Sequence, residues 1–202
     1  MSRPVRLVWA AASTTAFSPL APIVNGEVSF EGIDDSTVRT ITLSSAQNLS
    51  AHNFTFQGTD VYGNPINEVL AGPNNNTVES VHAYRAILSI TTDNLAVGNI
   101  SVGTGHTGQF LWQAYDYNRS FSSLAVAIDI TGTITYSYQT TLDDINLIAN
   151  PFIFFPEPTL HNAVTDQNNT FSGPTSYFTI AVTASTGAAT LNFSYLQQGL
   201  KA

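Results

Sequence analysis

The sequence predicts an all-β protein made of two small β-sandwich or jelly-roll-like halves, either separate or sharing one continuous core. Three observations carry this. Short runs alternate β-branched or aromatic residues with polar ones, at the two-residue period of a strand. Clusters of Gly, Pro and Asn bound those runs, at the spacing of turns in sandwiches and barrels. No window shows an apolar stripe at 3.6-residue period with a cap, so no helix is expected.

Residues 1–36 are expected to form an N-terminal arm and first strand region. The segment 1–22 is apolar and poorly patterned, as suits an arm laid across a neighbouring molecule, with Trp9 and Phe17 as interface anchors. Its unbroken apolar run, residues 7–12, is shorter than the roughly seven to fifteen residues of an export signal. No cleaved leader is expected.

Residues 37–105 form the first expected sandwich module. "TVRTITL" (37–43) sets Val38, Thr40 and Thr42 against Arg39, Ile41 and Leu43, and "NFTFQGT" puts Phe54 and Phe56 on one face. "GTDVYGNPINEVLAGP" (58–73) gathers Asp60, Asn64, Asn67 and Glu68 beside two prolines. That spacing misses the twelve-residue calcium register. It fits a hairpin turn made by Asp60, Gly63, Asn64 and Pro65. Glycine supplies positive φ, proline starts the return strand, and the Asp60 side chain accepts the turn's own amides. Glu68 shares an alternating face with Ile66 and Leu70, which requires an edge strand or a half-solvated face. "VHAYRAILSITT" (81–92) and "NISVG" (99–103) complete the module, and the glycine-rich "GTGHTG" (103–108) marks the expected boundary.

Residues 106–202 form the second module. Strands are expected at "QFLWQAY" (109–115), "LAVAIDI" (124–130), "TITYSYQTT" (133–141), "YFTIAVTA" (177–184) and "ATLNFSYL" (189–196), with tight hairpins at Gly132 and Gly187. Between the third and fourth lies "NPFIFFPEP" (150–158). Its four consecutive apolar residues, Phe152, Ile153, Phe154 and Phe155, make a poor free loop, and they are expected to serve as a buried excursion or as interface anchors.

Composition narrows the function. Charged residues are 10% of the 202, against roughly a quarter in a typical soluble domain, and Lys201 is the single lysine. A surface this poor in charge is expected to be covered in part by partners. The net charge is −8 and the five arginines (Arg3, Arg6, Arg39, Arg85, Arg119) are scattered, so there is no cationic face for nucleic acid. No run approaches the ~20 apolar residues of a membrane span. Cysteine is absent, which removes disulfides and thiolate chemistry.

Catalytic constellations are also missing. The histidines (His52, His82, His106, His161) lack a metal-pair spacing, and no G-x-S-x-G elbow occurs. Asp143–Asp144 and Asp34–Asp35 are adjacent pairs that on a strand point to opposite faces, so they read as turn-forming residues at strand ends. No cofactor or metal is expected. The rival binding reading is a carbohydrate-binding β-sandwich that uses Trp9, Trp112, Tyr115, Tyr117 or the 150–158 run as aromatic platforms. Seven Asn-x-Ser/Thr triplets occur, as expected by chance in a chain so rich in those residues.

The pattern G-T-D-x-x-G-N-P-x-x-E-x-[aliphatic]-x-G-P at 58–73, followed by Tyr84–Arg85 and "ISVGT", resembles small structural proteins of tailed bacteriophages. The second half is similar to another recurring phage type through "ITGTITYSYQTTLDD" (130–144) and "FTIAVTASTGAATLNFSYLQQG" (178–199). The two resemblances cover roughly residues 37–105 and 120–199. They imply a non-enzymatic virion protein at the head–tail junction or tail, or a capsid decoration protein, with other virion proteins and copies of itself as partners. One position departs from the pattern. Where an arginine is expected before "TASTG", the chain has Tyr177-Phe178-Thr179, so a contact made by that arginine has no counterpart.

Overall fold

A computed structural model describes residues 4–31, 37–93, 98–115, 119–147, 151–155, 158–171 and 175–201. Almost all of its regular structure is strand, in several antiparallel sheets, so the fold is all-β and sandwich-like. The chain divides into two units. One holds residues 12–108, and the other joins residues 1–11 to 109–202.

In the 12–108 unit the strands are β2 (Ser13–Pro22), β3 (Thr37–Ser44), β4 (Asn53–Thr59), β5 (Pro65–Ala71), β6 (Thr77–Glu79), β7 (Ala86–Thr92) and β8 (Asn99–Phe110), which ends just past it. They form a β2-β8-β3-β6 sheet and a β5-β4-β7 sheet. Alternation explains what each strand buries. Phe54 and Phe56 of β4 point into a cluster with Ile41, Leu43, Tyr84 and Ile90, and Phe17 joins them from β2. β3 has sheet neighbours on both sides and is buried on both faces, so even Arg39 is inside, its guanidinium donating to the Gly105 carbonyl at 2.6 Å.

The boundary expected near "GTGHTG" (103–108) falls at its end, between Gly108 and Gln109, and the segment itself is continuous strand in β8. Its glycines serve close approach. A Cβ on Gly103 would sit 1.8 Å from the Ser13 carbonyl oxygen, and one on Gly108 would sit 2.0 Å from that of Val38. Residues 81–92 also divide. The strand begins only at Ala86, and the preceding loop touches β3 through a Tyr84–Arg39 bridge.

The other unit contains β1 (Val5–Trp9), β9 (Gln113–Ala114), β10 (Arg119–Thr131), β11 (Ile134–Thr141), β12 (Gln167–Phe171), β13 (Tyr177–Ser185) and β14 (Thr190–Lys201), with a 3-10 turn at Pro158–Leu160. One sheet runs β1-β14-β10-β12, and in the other β13 pairs with β11 and β9. Their inward residues form one cluster that includes Trp9, Phe110, Tyr136, Tyr138, Phe178, Ile180, Leu191 and Phe193. Trp9 meets Phe110 edge-on at 6.1 Å and Phe178 meets Tyr195 at 4.9 Å. Each such pair adds about 0.5–1.5 kcal/mol beyond the burial of its area.

Three expectations change here. The described part of the expected arm, residues 4–22, is not free. Leu7 and Trp9 alternate inward while β1 pairs with β14, and β2 pairs with β8. Trp9 (0% exposed) and Phe17 (6%) are therefore core residues and present no interface anchor. Gly132 and Gly187 do mark chain reversals, but neither closes a paired hairpin. β10 and β11 lie in different sheets, as do β13 and β14. Both turns are arches between sheets, and the Thr186 amide donates to the Thr133 carbonyl at 3.0 Å to tie one to the other. Finally, the expected strand at 109–115 breaks after Phe110, and β9 is only Gln113–Ala114.

Candidate interaction surface

The Asp60 turn forms as its residues dictate. Asp60 Oδ1 accepts the amides of Tyr62 and Asn64, both at 2.8 Å, and its Oδ2 accepts the Asn64 side-chain amide at 3.1 Å. Gly63 sits at φ +87°, and Pro65 opens β5, which pairs in register with β4. The carboxylate's capacity is used within the turn, as a scaffold requires.

Glu68 resolves the ambiguity of its strand. β5 is an edge of its sheet, yet Glu68 turns inward and accepts the amides of Val81 (2.6 Å) and His82 (3.1 Å), His82 Nδ1 (3.2 Å) and the Tyr84 hydroxyl (3.3 Å). It fastens the loop before β7. Burial, and secondarily the charge of Glu68, pushes the Tyr84 hydroxyl well above the ordinary tyrosine range. Alternation on β5 alone did not reveal this role, because the partners lie 13 to 16 residues downstream.

The most distinctive surface is the excursion between β11 and β12. After Thr141 the chain turns through residues 142–147. There Asp144 Oδ1 accepts the Asn146 amide at 2.9 Å and the Tyr177 hydroxyl at 3.3 Å. The Asn146 backbone and side-chain amides hold the Asp144 carboxyl below the usual range. Asp143 Oδ2 accepts the Phe152 amide at 2.6 Å, so the two carboxylates serve separate structural bonds and do not converge on a substrate.

Phe154 then exchanges two backbone hydrogen bonds with Thr140, each 3.0 Å, and Ala163 does the same with Tyr136 at 2.8 and 3.0 Å. Between them Leu160 is fully buried in the core. The described part of the excursion is thus bonded to the edge of β11 at Phe154 and Ala163, and it presents apolar side chains outward: Phe152 is 76% exposed, Leu147 is 83%, and Leu142, Phe155 and Val164 are exposed too. Phe155 stacks on His161 with ring centroids 4.1 Å apart. Of the four predicted anchors, Phe152 and Phe155 face solvent, while Ile153 and Phe154 are half-buried.

Other candidate chemistry is sparse. Among the described residues no group of three or more His, Asp or Glu is placed to hold a metal ion, and no helix is long and apolar enough to cross a membrane. An open trough of about 590 Å³ crosses β12, β10 and β14, lined by Ala125, Ala127, Asn168, Thr170, Ser194 and Leu196, with no carboxylate or imidazole among its lining residues. Trp9, Trp112 and Tyr115 are buried and form no exposed aromatic platform. Tyr117 and Asp34–Asp35 lie outside the described residues. Tyr177, where an arginine was expected, spends its hydroxyl on Asp144 and Asn146.

No family model matches the chain, and no curated protein or solved structure shows significant similarity to it. Fold and surface together define an all-β, sandwich-like protein with an exposed apolar surface between β11 and β12.

Proposed function

We propose that the chain is a non-enzymatic structural component of a tailed-phage virion, an accessory protein of the head–tail junction or tail that packs against neighbouring subunits. The observation that carries this reading is the excursion. Five large apolar side chains stand in water on a segment whose main chain is hydrogen-bonded at Leu147, Phe152, Phe154 and Ala163, which lowers the ordering cost to a partner that covers them. Covering a Phe or Leu fully is worth about 1.5–3 kcal/mol. The charge-poor composition and the sequence resemblance point the same way.

The test is Phe152→Asp. The side chain is solvent-exposed, so the isolated protein should melt as wild type while incorporation into particles drops several-fold. Wild-type incorporation with the variant removes the excursion from the interface, and absence of the wild-type protein from purified particles removes the virion reading altogether. Copy number in those particles separates the tail axis, at about six or twelve under its rotational symmetry, from capsid decoration, at hundreds.

A further inference from the structure

The two sheets of each unit expose strand edges, and an open edge is a template for another strand. Among the described residues most of these edges are blocked by a recognisable device. The excursion bridges β11 at Tyr136 and Thr140. β7 is covered by the turn at residues 24–28: the Val28 amide donates to Ile90, and the Thr92 amide to Gly26. β5 carries the inward-turned Glu68, β6 has only three residues, and β2 contains Pro19 and Pro22 with two shifts of register. β12 holds two consecutive asparagines, which are poor strand formers.

β1 has none of these. Its five residues pair with β14 in unbroken register, it contains neither proline nor glycine, and among the described residues no strand pairs its other side. Val5 and Val8 are exposed, Val8 at 48%. Its one charge does not guard the edge, because the Arg6 guanidinium leans back over its own sheet and donates to Asn192 Oδ1 at 2.7 Å.

We infer that β1 is a self-association edge: two copies of this chain pair β1 with β1 antiparallel about a two-fold axis perpendicular to the sheet, making one eight-stranded sheet from two four-stranded ones. The register follows from the pleat. Such an axis keeps each copy's core on the same side of the joined sheet, so opposing residues must share a face and therefore parity. Centring on Arg6 would set Arg6 against its own symmetry mate, and like charges directly opposite are destabilising. Centring on Leu7 sets Leu7 against Leu7 and Arg6 against Val8, twice. No like charges then oppose each other, and both exposed valines are covered. This pairing goes beyond the virion reading and uses a different edge from the excursion, so either can fail alone.

The symmetry supplies a test whose sign matters. In the full-length protein, Val8→Lys places a cation opposite Arg6 of the other copy at two symmetric positions, and Val8→Glu places an anion there. Sedimentation equilibrium should show a reversible monomer–dimer equilibrium for wild type. It should be weakened about tenfold or more by Val8→Lys, and held or tightened at low salt by Val8→Glu. A wild type that stays monomeric at every concentration overturns the proposal, as does equal weakening by both variants or an effect from neither. Wild-type hydrogen exchange gives the check that needs no variant: the amides of residues 5–8 should gain protection as concentration rises, and concentration-independent exchange there overturns the pairing. Phe152→Asp leaves β1 intact and should not change the dimer constant.

Discussion

Asp143 holds Phe152. They are nine residues apart, and a 2.6 Å hydrogen bond from the Phe152 amide to Asp143 Oδ2 closes the base of the excursion. One aspartate of a pair that could have suggested catalysis therefore positions the most exposed phenylalanine of the surface. Removing the acceptor should loosen the segment locally while the core, anchored at Leu160, stays folded. For Asp143→Ala we expect a loss of about 1 kcal/mol of local stability, seen as roughly fivefold faster exchange of the Phe152 amide with little change in melting temperature. Unaltered exchange would mean that the Phe154 and Ala163 bridges suffice.

Glu68 makes a larger contribution because its four donors converge on a carboxylate whose side chain is only 8% exposed. Glu68→Gln removes the charge and turns an NH₂ toward backbone N–H groups, leaving donors facing a donor. We expect a loss of about 2–3 kcal/mol in urea denaturation, the scale of charged hydrogen bonds. The control is Glu27→Gln, at an exposed side chain, which should change stability by less than ~0.5 kcal/mol. Equal effects would deny the loop-fastening role.

The same cluster gives a pH dependence. Tyr84 has its hydroxyl pKa raised in the fold, chiefly by burial and then by the negative charge of Glu68. A raised pKa means that the folded state keeps its proton where the unfolded chain loses it. The stabilisation is therefore complete below about pH 10, the free tyrosine value, and is lost as pH climbs through the raised folded value. Tyr136 and Tyr138 behave alike, also led by burial. The tyrosines' contribution to the denaturation midpoint should be constant up to about pH 10 and then fall. In Tyr84→Phe the alkaline slope should be shallower by one proton's worth, about 1.4 kcal/mol per pH unit. An identical slope in the variant would show that Tyr84 ionises freely.

What was legible in the sequence was what depends on neighbours in the chain. The Asp60 turn closes through bonds spanning two and four residues, so residue types alone predicted it. Phe54 and Phe56 followed from strict alternation. A second local signal, Asn25–Gly26, was there to be read: both residues have positive φ, and Val24 and Glu27 pair across them, the two-residue primed turn that Asn-Gly favours. Gly132 and Gly187 show the limit. Turn residues specify that a chain reverses, not whether the next strand bonds its predecessor or crosses to the facing sheet. The glycines of β8 marked the division at Gly108 correctly but not its form, since a glycine required by another strand's backbone looks in one dimension like a turn residue.

Trp9 lies furthest from anything the local pattern could give. Its strand pairs with β14, and Trp9 itself opposes Leu191, at the other end of the chain. Trp9 is among the largest core side chains of its unit, fully buried and edge-on to Phe110. Trp9→Ala should then cost about 3–5 kcal/mol, the usual range for removing a buried aromatic, of which only part is the transfer term and the rest the cavity left behind. Deleting residues 1–9 should cost at least as much and should expose β14 as a new edge, raising aggregation. A segment that merely lay on a neighbour would behave oppositely: the isolated protein would keep its melting temperature after either change and lose only association. Thermal unfolding of the two variants, measured at one concentration beside Val8→Lys, separates the alternatives, because Val8→Lys disturbs the outer edge of β1 while leaving the tryptophan in place.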